Sequence, residues 1–230
     1  MSKSTAKRQN TNAASERTRS QIILAAERLF AEHGIDAVSL RQVNVAAEQK
    51  NSSATHYHFG SKEALVRSIY DFRMAPVNTR RQEMIDDLPK EPTVRQLVET
   101  IVLPIVEEID NSEGGSHYIR FLSQIAGHPS VDLGEIWESE HGTAMNDVAR
   151  SLATALPYLP PAIFGHRFGL ALSQIIHALS DREKLTRTRY EKAGSNTRSE
   201  ALYVNNLVDS VAGGLAAPVS ETTRKELDHG

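Results

Sequence analysis

Apolar residues recur at helical spacing along nearly the whole chain, and no run of β-branched residues alternates with period two for long enough to form a strand. Between residues 16 and 33 they fall at Ile22, Ala26, Leu29 and Phe30, the i, i+4, i+7, i+8 positions of one helix face, with Gly34 behind them as a stop. Further helices are expected at about 93–110, 116–127, 131–156 with an interruption near Gly142, 161–185 and 199–216. Pro89, Pro92, Pro129, Pro157, Pro160 and Pro161 supply breaks, and Pro104 is expected to kink its helix. Thr93, Ser116 and Ser199 are the expected N-caps, and Thr186 to Arg198 is expected to be a loop. The fold class this implies is all-α.

Composition narrows the function classes. The 230 residues contain no cysteine, which excludes disulfide scaffolds, thiolate metal sites and cysteine nucleophiles together. Hydrophobic residues at 40% and charged residues at 24% are a globular mixture. No uncharged apolar run reaches the length of a membrane span, and the polar N-terminus lacks the apolar stretch of a signal peptide, so the expected location is the cytoplasm. The net charge of −3 hides an asymmetry. Residues 1–63 carry nine Lys/Arg against six Asp/Glu, whereas Glu107 to Asp147 carries nine acids and one base, Arg120. Two surfaces with different partners would produce that pattern, and so would a well-solvated acidic helical surface.

The segment 39–62 carries the most specific chemistry. Ser39-Leu-Arg-Gln42 is a capping-box pattern opening a short helix with Leu40, Val43 and Ala47 on one face. A polar turn, Glu48 to Asn51, leads to a second short helix ending at Phe59-Gly60, and Ser61 is placed to cap the helix after it. Two short helices joined by a tight turn describe a helix-turn-helix. Small residues (Ser52, Ser53, Ala54) and His56 suit entry into a major groove. Lys50, Asn51, Tyr57, His58 and Lys62 are polar groups able to meet base edges or phosphates. Lys62 opens the next helix, where its amine and the free N–H groups can share one phosphate. His56 and His58 do not form a metal pair, because positions i and i+2 on a helix point apart. The basic leader, Lys3, Lys7, Arg8, Arg17 and Arg19, adds attraction to phosphates or is simply solvated.

These residues carry a resemblance. Arg17 to Val66, with ILAAERLFAEHG, VSLRQV and YHFGSKEALV in register, resembles the N-terminal DNA-binding domain of TetR-family transcriptional regulators. The rest is similar to that family in architecture: a helical domain that binds an effector and dimerises. The resemblance implies that residues 39–47 form the supporting helix and 52–58 the recognition helix. It places Ser39 and Arg41 at phosphate or base contacts, and Lys50, Asn51, Ser52, Ser53 and His56 at groove-facing positions. Tyr57, His58 and Lys62 match backbone contacts. Two departures stand out: Glu48 occupies a turn position where many members have glycine, and the turn is one residue longer than the common spacing.

The expected division is a basic flexible tail at 1–14, a helix-turn-helix domain at 15–60, a helical effector-binding and dimerisation domain at 61–217, and a flexible tail at 218–230. Aromatic and histidine side chains within apolar helices suggest an effector pocket involving Tyr118, Phe121, Trp137, His141, Phe164 and Phe168. The same residues at helical spacing also suit an ordinary core. The two most apolar helices, near 162–185 and 200–217, spread apolar residues over more than one face. By the resemblance they pair with a second copy through Leu172, Ile176, Leu179, Leu207, Val211 and Leu215; the alternative is burial inside one monomer.

The reading that follows is a homodimeric, ligand-responsive DNA-binding regulator, a repressor, on a palindromic operator. It requires double-stranded DNA, a second copy of the chain and an unidentified small-molecule effector, with no cofactor, metal or membrane. The helix from Ser61 onward is the implied lever. The alternatives are a ligand- or protein-binding module with a vestigial DNA-binding domain, and a helical enzyme, for which no catalytic spacing is visible.

Overall fold

The computed structural model describes residues 3–51, 53–128, 143–185 and 197–228, and every regular element among them is an α-helix. In chain order these are α1 (Lys3–His33), α2 (Leu40–Ala46), α3 (Ala54–Phe59), α4 (Lys62–Asp86) and α5 (Val94–Asn111). Then follow α6 (Gly115–Ile125), α7 (Thr143–Ala155), α8 (Pro161–Leu185), α9 (Thr197–Ala216) and α10 (Glu221–Asp228). Among the described residues no helix is long and apolar enough to cross a membrane. The chain divides into two compact units, Met1–Pro76 with Glu108–Ile136, and Val77–Glu107 with Trp137–Gly230.

In the first unit α1 buries Ile22, Ile23, Ala26 and Phe30, one continuous face, against α6 and α2. The Phe30 and Phe121 rings stack with centroids 6.4 Å apart. Gly34 ends α1 as its sequence position suggested: it is left-handed (φ 83°), and its N–H donates to the Phe30 carbonyl at 2.9 Å. From α4, Leu65, Val66 and Ile69 complete this core.

In the second unit the apolar face of α5 comprises Leu97, Val98, Ile101, Val102 and Ile105. Thr93 opens α5 with a reciprocal cap, its N–H donating to Gln96 Oε1 and the Gln96 N–H donating to its hydroxyl. The helix continues through the buried Pro104. Helices α8 and α9 pack together, and side chains tie their ends. Arg167 donates to the carbonyls of Leu215, Ala217 and Pro218, which the end of α9 leaves without helical partners. Tyr203 donates its hydroxyl to Ala178 O at 2.7 Å.

Three expectations change. Helix α6 begins at Gly115 with Gly114 as its N-cap, so Ser116 lies inside the first turn, and α9 begins at Thr197 ahead of Ser199. Helix also extends into both segments expected as tails, from Lys3 to Ala14 and over Glu221–Asp228, where the helical residues include no glycine or proline and many helix formers. Finally, Leu172, Leu179, Leu207, Val211 and Leu215 are buried within the chain and Ile176 half-buried, which is the monomer-core alternative for those side chains. The exposed face of α8 is instead Gly165, His166, Gly169, Leu170, Ser173 and His177, with Leu202, Asn206 and Gly213 exposed on α9. Leu170 and Leu202 are 70% and 69% exposed.

Candidate nucleic-acid interface

The capping box read from the sequence is present. Ser39 N–H donates to Gln42 Oε1 at 2.8 Å, and Gln42 N–H donates to Ser39 Oγ at 3.3 Å, fixing the start of α2. Val43 and Ala47 are buried and Leu40 half-buried, so the opposite face presents Arg41, Gln42 and Val45 outward.

The turn after α2 is unusual. Glu48 has φ 54°, the one non-glycine residue with positive φ among those described. The left-handed geometry costs a side-chain-bearing residue about 1–2 kcal/mol, a cost glycine does not incur. Glu48 is exposed, so its carboxylate is solvated. Gln49 steadies the turn: its N–H donates to Asn44 O at 3.0 Å and its amide to Ala47 O at 2.7 Å. Asn51 Oδ1 then accepts the Ser53 N–H at 3.0 Å, ahead of α3.

Helix α3 is divided cleanly. Ala54, Thr55 and Phe59 face inward, while Ser53, His56 and Tyr57 are exposed. Tyr57, 82% exposed, does not pack on α1; its ring meets His58 edge-on at 5.2 Å. Ala54, grouped with the small groove-facing residues by sequence, belongs to the core, and Ser52 lies outside the described residues. Ser39, Arg41, Lys50 and Asn51 are exposed and His58 and Lys62 half-buried, so the described candidates retain solvent-facing surface.

Three anchors hold this face. Asn44, buried on α2, accepts from Thr55 of α3 twice. Arg19 of α1 lies over the Phe59 ring, 5.2 Å from its centroid, so this arginine packs as part of the first helix and not as leader. Lys62 reaches back to the loop after α1, donating to Ile35 O at 3.0 Å and Asp36 O at 3.4 Å. Gly60 ends α3 at φ 76°, and Ser61 Oγ caps α4 by accepting the Ala64 N–H at 3.1 Å. Sequence reading missed Asn44 and Thr55; the available signal was a polar residue adjoining the apolar face of a very short helix.

Comparison with known proteins decides the family. Residues 22–69 match the family described as bacterial regulatory proteins, tetR family, and residues 99–214 match the one described as tetracyclin repressor-like, C-terminal domain. The chain belongs to the TetR family. It is thus a DNA-binding transcriptional regulator with a helix-turn-helix domain, in a family of regulators and not of enzymes. A putative tetR family transcription regulator from Shewanella sp. PV-4 shares the fold at 16% identity and a TM-score of 0.54, over 82% of this chain and 97% of that one. NalD of Pseudomonas aeruginosa, the secondary repressor of the MexAB-OprM multidrug efflux pump, aligns at 21% identity and TM-score 0.48, over 87% and 97%. A TetR-family regulator from Streptomyces coelicolor aligns at 18% and 0.42, over 86% and 95%. No curated protein matches in sequence.

The candidate effector residues of this TetR-family chain fall in different places. Tyr118 and Phe121 are wholly buried in the first unit, where Tyr118 Oη donates to Met74 Sδ at 2.9 Å. Phe164 and Phe168 belong to the second unit and stack at 5.9 Å. Trp137 and His141 lie outside the described residues.

Proposed function

We propose that this TetR-family protein is a ligand-responsive repressor that binds a palindromic operator in the cytoplasm as a homodimer. The observation that carries the reading is the division of α3, with Ser53, His56 and Tyr57 exposed and Ala54, Thr55 and Phe59 anchored in the core. A helix held this firmly presents its polar face to a major groove without ordering cost. Ser53 and His56, with Lys50, Asn51 and Ser52 ahead of them, read base edges. Ser39 and Arg41 meet phosphates or flanking bases, and Tyr57, His58 and Lys62 meet the phosphate backbone. Residues 1–14 add sequence-independent attraction to phosphates.

The second copy docks on the exposed face of α8 and α9, where Gly165, Gly169 and Gly213 have open space beside them and Leu170 and Leu202 are left bare. The buried leucines and valines of those helices support that face from behind. The effector is a small molecule taken up by the helical domain, with Phe164, Phe168, Trp137 and His141 as candidate contacts and Tyr118 and Phe121 as core support. It acts by population shift: a ligand favouring the conformation with misplaced recognition helices lowers operator affinity by its differential affinity for the two states, about 1–3 kcal/mol.

The test is fluorescence-anisotropy binding to tiled duplexes from the DNA flanking the protein's own gene, followed by random-sequence selection, each at two salt concentrations. One preferred sequence bound by an even number of protomers is the expected result. Weak, uniform, steeply salt-dependent binding in both formats would overturn the operator reading.

A further inference from the structure

Arg73 of α4 is 3% exposed, and its donors are divided between two parts of the first unit. Nε and Nη2 donate to the carboxylate of Glu27 on α1 at 2.7 and 2.8 Å. Nη1 donates to Glu108 Oε1 and Ser112 Oγ, both at 2.9 Å, and Nη2 also donates to Glu113 O at 2.6 Å. Those three acceptors form the corner where α5 ends and α6 begins. Glu108 is also where the chain re-enters the first unit from the second.

The corner is shaped around the guanidinium. Gly114 is left-handed (φ 72°), and a Cβ there would lie 3.4 Å from Arg73 Nη2 and 3.6 Å from Glu27 Oε1. A Cβ on Gly115 would lie 2.3 Å from Ile109 O, so α6 can start there only on glycine. The Tyr118 ring sits 5.9 Å from the guanidinium carbon. Burial pushes Arg73 down, but the hydrogen bonds and charges of Glu27 and Glu108 outweigh it and hold the group above its ordinary value. A bidentate fork fixes one register where apolar packing tolerates sliding.

We propose that Arg73 is a positioning residue for operator recognition, latching the α5–α6 corner to α1 so that the corner sets the placement of the helix-turn-helix packed on α1. The inference rests on the operator reading above. A palindrome demands correct placement of two recognition helices at once, whereas a half-site demands only one. The latch therefore acts on the first and is silent on the second.

The test uses the full-length Glu108→Gln/Ser112→Ala variant, which removes the corner's carboxylate charge and the Ser112 hydroxyl while leaving the Glu113 carbonyl and the Glu27 pair in place, and Arg73→Lys, which keeps the charge but loses the fork. Each is compared with wild type for binding to the full palindrome and to a single half-site duplex, with thermal midpoint and amide exchange over residues 108–117. The expected result is palindrome binding weakened at least fivefold, half-site binding within twofold of wild type, faster exchange at the corner and a midpoint within a few degrees. Unchanged palindrome affinity in both variants would overturn the proposal, as would equal losses on both duplexes in step with a falling midpoint. Wild type lacking any preferred duplex would sink the operator reading itself, a result separable because it needs no variant.

Discussion

Asn44 Oδ1 accepts both the backbone N–H of Thr55 at 3.0 Å and its hydroxyl at 2.6 Å, and both residues are buried. One amide oxygen thus pins the start of the recognition helix to the supporting helix. Two helices of seven and six residues are too short to hold their mutual angle by backbone alone. Asn44→Ala strands two buried donors, and the expected cost is about 1–3 kcal/mol in urea unfolding. DNA affinity should fall for every sequence tested.

Glu48 predicts the opposite sign. Its φ of 54° is strained for glutamate and unstrained for glycine, so Glu48→Gly relieves about 1–2 kcal/mol of local strain while adding some unfolded-chain entropy. The variant should be more stable by about 0.5–1 kcal/mol. An unfolding midpoint at or below wild type would show that the turn draws something else from this side chain.

Two residues of the DNA-facing surface should separate by their response to sequence and salt. His56→Ala should change preference among duplexes by about 1–3 kcal/mol at the affected base pair. Lys62→Ala should weaken all duplexes about equally and lower the salt-dependence slope by roughly one unit. Because Lys62 also ties the loop after α1 through Ile35 and Asp36, the same variant should lose about 0.5–1.5 kcal/mol of stability. Competition binding at three salt concentrations distinguishes the two; a pure change of preference in the Lys62 variant would reassign its role.

The bare leucines give a prediction about assembly. Leu170→Glu and Leu202→Glu place a charge where the second copy is proposed to dock, without touching the buried face of either helix. Light scattering should show each variant as a monomer with wild-type helicity at concentrations where the unaltered chain is a dimer. Palindrome affinity should fall with it. A dimeric Leu170→Glu variant would move the interface off this face of α8.

The sequence alone determined the features that depend on neighbours along the chain. Helical periodicity at Ile22, Ala26, Leu29 and Phe30, the stop at Gly34 and the Ser39–Gln42 box are local, and each is present as read. The YHFGSKEAL segment in register marked the family for the same reason: a short-range pattern survives in one dimension. Tertiary structure decided whatever depended on which face of a helix found a partner. Helical spacing alone made Leu172 and Leu179 as eligible for a subunit interface as Leu170, and packing of α8 against α9 buried the first two while leaving the third exposed. Periodicity says that a residue lies on a stripe, not which stripe the chain itself will cover. Nor could the sequence reveal that Arg73, Glu27 and Glu108 converge, since the partners lie 46 and 35 residues away and only the fold brings them within 3 Å.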